Sequence, residues 1–439
     1  MKKLLILMIL FPLVCLGQTR PHWLQIDGKP FADVRTFGAK GDGVTDDTAA
    51  ITAAIASAAA SGKSLYLTGS YSTTALPVIP RGVKLVGPGS FTNYPHVLTE
   101  DRVDSWGEWP DFRWWTPAGP AIAMYNDEKY IDVQMNGLYG LGSFVPSTSN
   151  NIWVRISSNM PTTLADTTVG DVQQSTWYAS FVAINDSTGA LEHVTTPFFR
   201  IIDDSSNVLT IGSHLGYIGS STPEVAQDFG MADDELVGQK FIVLANYRSF
   251  HHLGQVREIT ANTGTTITYD GSTMGLSASS SWIMVSPPGY TSFRYVGGVQ
   301  RDTVGPVNFT KNGTEYQTRG GALTFDGVPS PLGSSTVATA PVYINDRGAI
   351  LPTARTILLS GRVLSKASQA NVPYGLTYLT DTTLHDIYNQ RSYTTQAAQQ
   401  AHQSQVWLTP RYALIPAMRT VHSATATASF RLYCHGYRE

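Results

Sequence analysis

The stretch FGAKGDGVTDDTAAI, from Phe37 to Ile51, places three glycines and three aspartates directly before an alanine-rich segment. Apolar residues four apart, Ile51 and Ile55, predict that this segment is a helix with one buried stripe. Asp46 and Asp47 stand where that helix begins, and a carboxylate there accepts hydrogen bonds from free N–H groups and meets the positive end of the helix dipole. We therefore predict a strand, a glycine turn and a capped helix, with Asp46, Asp47, Ile51 and Ile55 as structural cap residues.

Metal and phosphate sites fit the sequence less well. A calcium loop needs oxygen ligands at alternating positions and a closing glutamate, which the spacing of the three aspartates does not supply. A phosphate-binding loop needs an opening glycine, but Ser57 occupies that place ahead of Gly62-Lys63-Ser64. His251 and His252 are adjacent, so on a strand their side chains point to opposite faces and cannot easily share one ion. We predict no metal site and no cofactor.

The composition favours repetitive β-structure and gives no reason to expect a nucleic-acid partner. Charged residues make up 14% of the chain, below the roughly 25% of ordinary globular domains. The formal net charge of −3 offers no electrostatic attraction for a phosphate backbone. Glycine, serine, threonine and asparagine are expected to cover the surface instead.

The N-terminus has the pattern of an export signal. Lys2 and Lys3 precede an apolar run from Leu4 to Leu16, which has the length of a cleaved signal rather than of a membrane span. We predict cleavage before Gln18, with a short membrane anchor as the alternative. Only Cys434 then remains, so an intramolecular disulfide is excluded.

Short strands dominate the chain after Ser90. Two segments, Phe199 to Ser213 and Val256 to Ser272, have the pattern of a hairpin: a strand with an arginine, a polar turn and a threonine-centred strand. Residues 331–341 are rich in Pro, Ser, Gly and Thr and predict a linker. Thr394 to Gln405 is expected to be a polar helix within a β-rich C-terminal domain.

The segment from Asp33 to Pro88 resembles a known family. The residues that carry the resemblance are ADVRTFGAKGDGVTDDTAAITAAIASAAASGKSLYLTGSY. This segment resembles the N-terminal segment of the pectate-lyase-like superfamily of right-handed parallel β-helices, and within it bacteriophage tailspike proteins most of all. Family members often carry a Pro-Gly turn where this chain has Thr68-Gly69-Ser70. In the family the helix closes the exposed end of the stacked coils, where unpaired backbone and an apolar core otherwise invite aggregation.

This resemblance implies an all-β fold: a right-handed parallel β-helix with an N-terminal capping helix, plus a C-terminal β-rich domain. The expected organisation is signal peptide 1–17, lead-in 18–32, β-helix region 33–330 with insertions allowed after 95, linker 331–341 and C-terminal domain 342–439. Regular short-strand coils are hard to recognise after about residue 95, so a different β-fold joined to the capped segment is the alternative there.

No catalytic residue can be carried over from the family. Its polygalacturonase-like members use sequence elements that this chain lacks, including Asn-Thr-Asp and Arg-Ile-Lys. Glycan hydrolysis usually needs two carboxylates about 5 to 10 Å apart. Three candidate groups are present, and a turn or solvated loop is an alternative role for the first two: Asp203 with Asp204, Asp233 with Asp234 and Glu235, and Glu108 with Asp111.

The stretch WGEWPDFRWW, from Trp106 to Trp115, is the strongest candidate for carbohydrate binding. Flat aromatic rings stack on sugar faces while charged groups bond hydroxyls, but a buried aromatic plug or a subunit interface gives the same pattern. The candidate binding residues are Trp106, Glu108, Trp109, Asp111, Arg113, Trp114 and Trp115.

The sequence thus predicts an exported or virion-associated protein that binds a surface or extracellular polysaccharide. If it is an enzyme, it also depolymerises that polysaccharide. A lyase or glycoside hydrolase is one form of this hypothesis, and a non-catalytic structural spike or adhesin is the alternative. The resemblance implies a homotrimer attached to a phage tail or a cell surface. The export signal favours an extracellular or cell-surface location over a virion tail.

Overall fold

The structure is a computed structural model, and it describes a defined part of the chain. The described residues are 31–80, 82–103, 112–115, 121–124, 131–135, 152–157, 160–161, 169–171, 176–212, 226–245, 252, 254–276, 281–301, 309–312, 315–327, 338–341, 351–353, 356–367, 372–380, 383–392, 398–407, 417–420 and 426–438. No helix among these residues has the length and apolar character that crossing a membrane requires.

The chain divides into two compact units, one formed by Met1–Trp106 with Thr148–Arg155 and the other by Gly107–Ser147 with Ile156–Glu439. The first part of the chain contains the helix α1 (Thr48–Ser61) and short strands: β1 (Ala32–Asp33), β2 (Asp42–Asp46), β3 (Leu65–Tyr66), β4 (Ser70–Ser72), β5 (Leu85–Val86), β6 (Ser90–Phe91), β7 (Val97–Leu98), β8 (Phe112–Trp115), β9 (Ala121–Met124), β10 (Ile131–Met135), β11 (Ile152–Ile156) and β12 (Met160–Pro161).

Six of these strands form two parallel sheets in the first unit. One sheet has the order β1-β3-β5 and the other β2-β4-β6, so each of three successive segments contributes one strand to each sheet. We call each such segment a coil. Backbone bonds join the coils, for example from the Leu67 N–H to the Val86 carbonyl at 2.9 Å. Apolar side chains fill the space inside, including the fully buried Leu65 and Tyr71.

A column of glycines allows the coils to approach closely at one corner. The Ser70 N–H donates to the Gly41 carbonyl at 3.1 Å, and the Ser90 N–H donates to the Gly69 carbonyl at 3.0 Å. A Cβ atom at Gly69 would lie 2.6 Å from the Gly41 carbonyl oxygen, and one at Gly89 would lie 2.8 Å from the Gly69 carbonyl oxygen. Real Cβ atoms do not reach such distances, so these positions require glycine.

The stack of parallel coils ends after β6. The Gly87 N–H, where a fourth coil would supply a carbonyl, donates instead to the two carboxylate oxygens of Asp101 at 2.8 and 2.9 Å. The Thr99 hydroxyl donates to the Gly87 carbonyl at 2.5 Å. A salt bridge of 3.1 Å between Lys84 and Glu100 lies in the same region. The next strand, β7, pairs antiparallel with β11.

Helix α1 lies over the first coil, where it packs against the 3₁₀ turn Val34–Phe37, β1 and β3. Ile51 is fully buried and Ile55 is 7% exposed, so the predicted apolar stripe faces the interior. Gly62 ends the helix in the left-handed conformation with φ of 62°. These features follow from the i, i+4 spacing and from the tolerance of glycine for positive φ.

The two predicted cap carboxylates have different partners. Asp46 Oδ1 accepts from the N–H of Thr48, the first helical residue, at 3.0 Å. Asp47 makes no side-chain bond to the helix, so its predicted capping role is wrong. Its carboxylate turns back and accepts from the N–H groups of Lys40 at 2.6 Å and Gly41 at 3.1 Å. Asp47 is 2% exposed, and it holds the glycine turn against the start of the helix.

Antiparallel strands form the second unit from residue 176 onward. Their bounds are β13 (Thr176–Ile184), β14 (Leu191–Ser205), β15 (Val208–Gly212), β16 (Lys240–Ala245), β17 (Val256–Asn262), β18 (Thr266–Tyr269), β19 (Ser281–Val285), β20 (Ser292–Arg301), β21 (Phe309–Asn312), β22 (Glu315–Gly327), β23 (Ala338–Pro341), β24 (Thr356–Ala367), β25 (Val372–Thr380), β26 (Thr383–Ser392), β27 (Ala398–Trp407), β28 (Ala417–Thr420) and β29 (Ala426–Arg438).

Six of these strands close into an antiparallel barrel. The pairs run β14-β15-β18-β17-β16-β19 and return from β19 to β14. Both predicted hairpins belong to it, as β14-β15 and β17-β18, and their second strands pair with each other. The first hairpin turns at Ser206 and Asn207, whose φ angles of 55° and 64° match the twist of the flanking strands. Apolar side chains such as Phe199, Phe241 and Ile283 fill the barrel, so it is a packed core.

Strand β14 is shared between the barrel and a two-strand extension. Its first half pairs with β13, which pairs in turn with β20, while its second half pairs with β15 and β19. His193 lies in the first half and is 7% exposed. Its Nδ1 atom is 3.3 Å from the Met160 carbonyl oxygen, and burial lowers the pKa of the imidazole to about 3.

The all-β class is confirmed, while two expectations about the later chain need correction. Among the strand pairs whose direction the structure describes, those before residue 92 are parallel and those from β7 to Arg301 are antiparallel, which differs from coils that continue to residue 330. The predicted polar helix from Thr394 to Gln405 is wrong: β27 occupies 398–407 and pairs with β24 over ten positions. That long-range pairing outweighs local helix propensity. The boundaries at 330 and 342 stay predictions, and the signal and residues 18–30 of the lead-in lie outside the described residues.

The glycine column predicts a strong effect of one added methyl group. We expect Gly69→Ala to lower the free energy of unfolding by about 3 kcal/mol, because the backbone of Gly41 cannot move away from the new Cβ without breaking the coil pairing. Gly38→Ala is the control, since Gly38 has φ of 98° but no atom within 4 Å of its Cβ position. It should cost about 1 kcal/mol of backbone strain. Urea unfolding of both variants measures the difference, and equal costs would contradict the close-approach explanation.

Burial of His193 predicts an acid-sensitive stability. The folded imidazole has a pKa of about 3, whereas the unfolded one titrates near 6.5. Between these values the unfolded chain binds the additional proton, so stability falls as the pH drops from about 6.5 towards 3, by at most about 1.4 kcal/mol per pH unit. His193→Gln should flatten this slope and leave the pH dependence of the unfolding free energy above pH 7.5 unchanged. Urea midpoints across this range test it, and parallel profiles for variant and parent would refute it.

Candidate functional site

The outward face of the sheet β2-β4-β6 carries two columns of polar side chains. Asp42, Ser70 and Ser90 are register partners across the three strands and form the first column. The second column contains Asp46, its partner Ser72, and Thr92, which follows β6 directly. We call these six residues the polar columns.

The inward side chains of the same strands fix which way the polar columns face. Tyr71, between the two serines of β4, is fully buried, and Phe91 is 2% exposed. Because side chains alternate along a strand, Ser70 and Ser72 lie on the opposite face from Tyr71. Ser70 and Thr92 are exposed, in agreement with this alternation.

Each column begins with an ionised carboxylate. Asp42 Oδ1 accepts from the N–H groups of Val44 at 2.9 Å and Thr45 at 2.7 Å, and Oδ2 accepts from the Thr45 hydroxyl at 2.7 Å. These bonds lower the pKa of Asp42 to about 2, the Thr45 N–H contributing most. Asp46 Oδ1 accepts from the Thr48 hydroxyl at 2.5 Å and from its N–H, and these bonds lower the pKa of Asp46.

The bonds of Asp42 also close the free edge of β2. Its carboxylate binds two successive N–H groups in the bulge between the paired residues Asp42 and Asp46. Val44, at the tip of this bulge, is 85% exposed. The bulge and its charges therefore leave little of β2 for another strand to pair with.

The predicted carboxylate pairs of the second unit have structural roles. Asp204 accepts from the Tyr269 hydroxyl and from the Leu276 N–H, both at 2.8 Å. Burial raises the pKa of Tyr269, and the hydrogen bond from its hydroxyl to Asp204, which an ionised tyrosine cannot donate, raises it further. Asp203 accepts from the Ser205 hydroxyl at 2.7 Å beside the hairpin turn. The pair Asp203 and Asp204 thus joins a hairpin to its neighbours.

The acidic group from Asp233 to Glu235 closes a turn at the end of the barrel. Glu235 Oε2 accepts from the Ala232 N–H at 2.9 Å, and Oε1 accepts from the Gly170 N–H at 3.4 Å. Asp234 has a positive φ of 62°, which is typical of a turn. Glu235 thus binds backbone N–H groups of two segments, which is a structural role.

The aromatic segment from Trp106 to Trp115 is described only in part. Residues 112–115 form β8, whose register partners in β9 run from Phe112 with Met124 to Trp115 with Ala121. Residues 106–111, which include Glu108 and Asp111, lie outside the described residues, as do the side chains of Arg113, Trp114 and Trp115. Their role in binding carbohydrate stays a prediction.

Metal ligands do not gather anywhere in the part of the chain that the structure describes. No group of three or more His, Cys, Asp or Glu side chains there could hold an ion. His252 Nδ1 lies 3.3 Å from Gln255 Oε1, while His251 lies outside the described residues.

Sequence reasoning singled out Asp46, as a cap residue, and missed Asp42 and the hydroxyls of the polar columns. Ser70, Ser72, Ser90 and Thr92 lie in short segments about twenty residues apart, and only the register of the strands aligns them. A signal was present, because Ser70-Tyr71-Ser72 and Ser90-Phe91-Thr92 share the same alternation of hydroxyl and aromatic residues.

The part of the chain that contains the parallel coils is similar to a recognised family. Residues 31–105 match the family described as rhamnogalacturonase A/epimerase, pectate lyase-like. A glucan 1,3-beta-glucosidase of Cochliobolus carbonum is 38% identical over 72 residues, which cover 16% of this chain and 9% of that enzyme. The chain therefore matches less than a tenth of the length of this curated relative.

One solved structure extends over more of the chain but is only weakly similar. The subviral particle of infectious bursal disease virus VP2 covers 73% of this chain and 79% of its own, with 12% identity and a TM-score of 0.21. That score is too low to support an argument about the fold. Residues 31–105 thus carry the resemblance to the pectate-lyase-like superfamily that the sequence predicted, and the likeness to tailspike proteins stays a prediction.

Proposed function

We propose that this chain is an exported or virion-associated protein that binds an extracellular or surface polysaccharide. One observation carries the proposal: residues 31–105, which match a pectate-lyase-like family, contain three parallel coils closed by α1. The glucosidase that is similar to 72 residues of this chain acts, by its name, on a glucan. In this proposal the coils are the start of a right-handed parallel β-helix, and α1 is its capping helix.

Binding without cleavage is the form of this function that the described carboxylates favour. Asp203 and Asp204 bind neighbours of the hairpin, and Glu235 binds backbone N–H groups. Carboxylates committed to such bonds have fewer acceptor positions left for a reacting group. Depolymerisation by a lyase or a glycoside hydrolase is the second candidate, because the aromatic segment contains two further carboxylates, Glu108 and Asp111.

A polysaccharide panel tests the function and separates its two forms. The full chain is titrated with neutral and acidic polysaccharides, and each mixture is then assayed for products. We expect binding with no new reducing ends and no absorbance from unsaturated uronates. New reducing ends alone would indicate a hydrolase, and uronate absorbance would indicate a lyase. A chain that binds none of the polysaccharides would contradict the proposed function.

The proposed assembly is a homotrimeric spike on a cell surface or phage tail. Removing residues 1–17, at about 110 Da per residue, lowers the monomer mass from 47.6 kDa to about 46 kDa. We expect light scattering of this shortened chain to give three times that monomer mass. Serial dilution distinguishes a stable trimer from weak association. A single monomeric species at all concentrations would overturn the spike.

A further inference from the structure

We propose that the polar columns bind a neutral glycan chain that lies across the strands of the sheet β2-β4-β6. This inference rests on the proposed function and assigns it a surface and a class of ligand. It starts from the register of the sheet, which aligns Asp42 with two serines and Asp46 with Ser72 next to Thr92.

The geometry gives an ordered, repeating surface. Neighbouring strands in a sheet lie about 4.8 Å apart, and outward residues two apart on one strand are separated by roughly 6.6 Å. The six side chains therefore form a grid, three rows long and two columns wide. A polymer lying along the columns meets the same kind of polar group at each coil, which suits a ligand made of repeated units.

The chemistry of the grid is that of hydroxyl recognition. Four of the six side chains are hydroxyls, each of which donates one hydrogen bond and accepts others. The two carboxylates accept only. Among the described residues Asp46 receives hydrogen bonds on Oδ1 and none on Oδ2, so Oδ2 can accept from a sugar hydroxyl. Sugar hydroxyls supply the complementary donors and acceptors.

The charge of the grid selects a neutral sugar over an acidic one. Strands β2, β4 and β6 contain no lysine or arginine, and both charges on their outward face are negative. Backbone N–H groups lower the pKa of Asp42 to about 2, so that carboxylate stays ionised at neutral and mildly acidic pH. Like charges facing each other repel, and a uronate chain along the columns would meet them with no cation on the three strands themselves to offset the repulsion.

Removing two hydroxyls from the face tests the site. The full chain and Ser70→Ala/Thr92→Ala are titrated with a soluble neutral β-1,3-glucan and, separately, with polygalacturonate. We expect the double variant to bind the glucan about tenfold more weakly, as the loss of two hydrogen bonds implies. Both residues are exposed, so the melting temperature should not change. The matched control is Thr52→Ala/Ser61→Ala, which removes two exposed hydroxyls from α1.

A variant that offsets the negative charge of the grid tests the ligand class independently. Ser70→Lys/Thr92→Lys places two cations on the grid and should bind polygalacturonate at least about tenfold more tightly than the parent chain. If the parent binds the glucan and neither double variant alters binding of either polymer, the polar columns are not the site and the proposed function stands. If the parent prefers polygalacturonate, the neutral class is overturned. If the parent binds no polysaccharide, both proposals fail.

Discussion

The first unit depends on the direct contact of backbone with backbone at one corner of its coils. Gly41, Gly69 and Gly89 stack there, and a Cβ atom at Gly69 or Gly89 would collide with the carbonyl oxygen of the glycine in the preceding coil. This approach brings very short strands within bonding distance, although a strand of two residues has little stability by itself. Once the coils are joined, their inward side chains form a small apolar core, and α1 covers one end of it.

Both ends of the coil stack are closed by side chains that replace missing backbone partners. At the start, Asp47 binds the glycine turn and Asp42 binds the N–H groups of its bulge. At the far end, Asp101 takes the Gly87 N–H. Aspartate suits both places because its ionised carboxylate accepts several bonds at once. The same residue type thus prevents edge-to-edge association and ends the parallel stack after three coils.

Local patterns in the sequence predicted the elements whose partners lie nearby in the chain. The buried stripe of α1 followed from Ile51 and Ile55, and two hairpins followed from their polar turns. The partner of Asp47 could not be foreseen, because two equivalent sets of N–H groups, in the turn and in the helix, lie within its reach. The strand β27 was missed because its pairing with β24 joins segments some forty residues apart.

Only part of the candidate site could be recognised in the sequence. Its aspartates belong to the stretch that carries the family resemblance, but Asp46 was assigned to capping and Asp42 was considered only as a calcium ligand and set aside. Its hydroxyls were passed over, since single serines on short strands are common and carry no signal by themselves. Register between coils turns these scattered residues into a surface, and register is a property of the tertiary structure.

Strand β14 has a consequence for how the second unit unfolds. It is a single strand of fifteen residues, whose second half belongs to the barrel and whose first half pairs with β13 of the extension. Because the two halves are one continuous strand, breaking the strand pairing of one half weakens the pairing of the other. The barrel and its extension therefore melt in one cooperative step, and a force applied to either is borne by both.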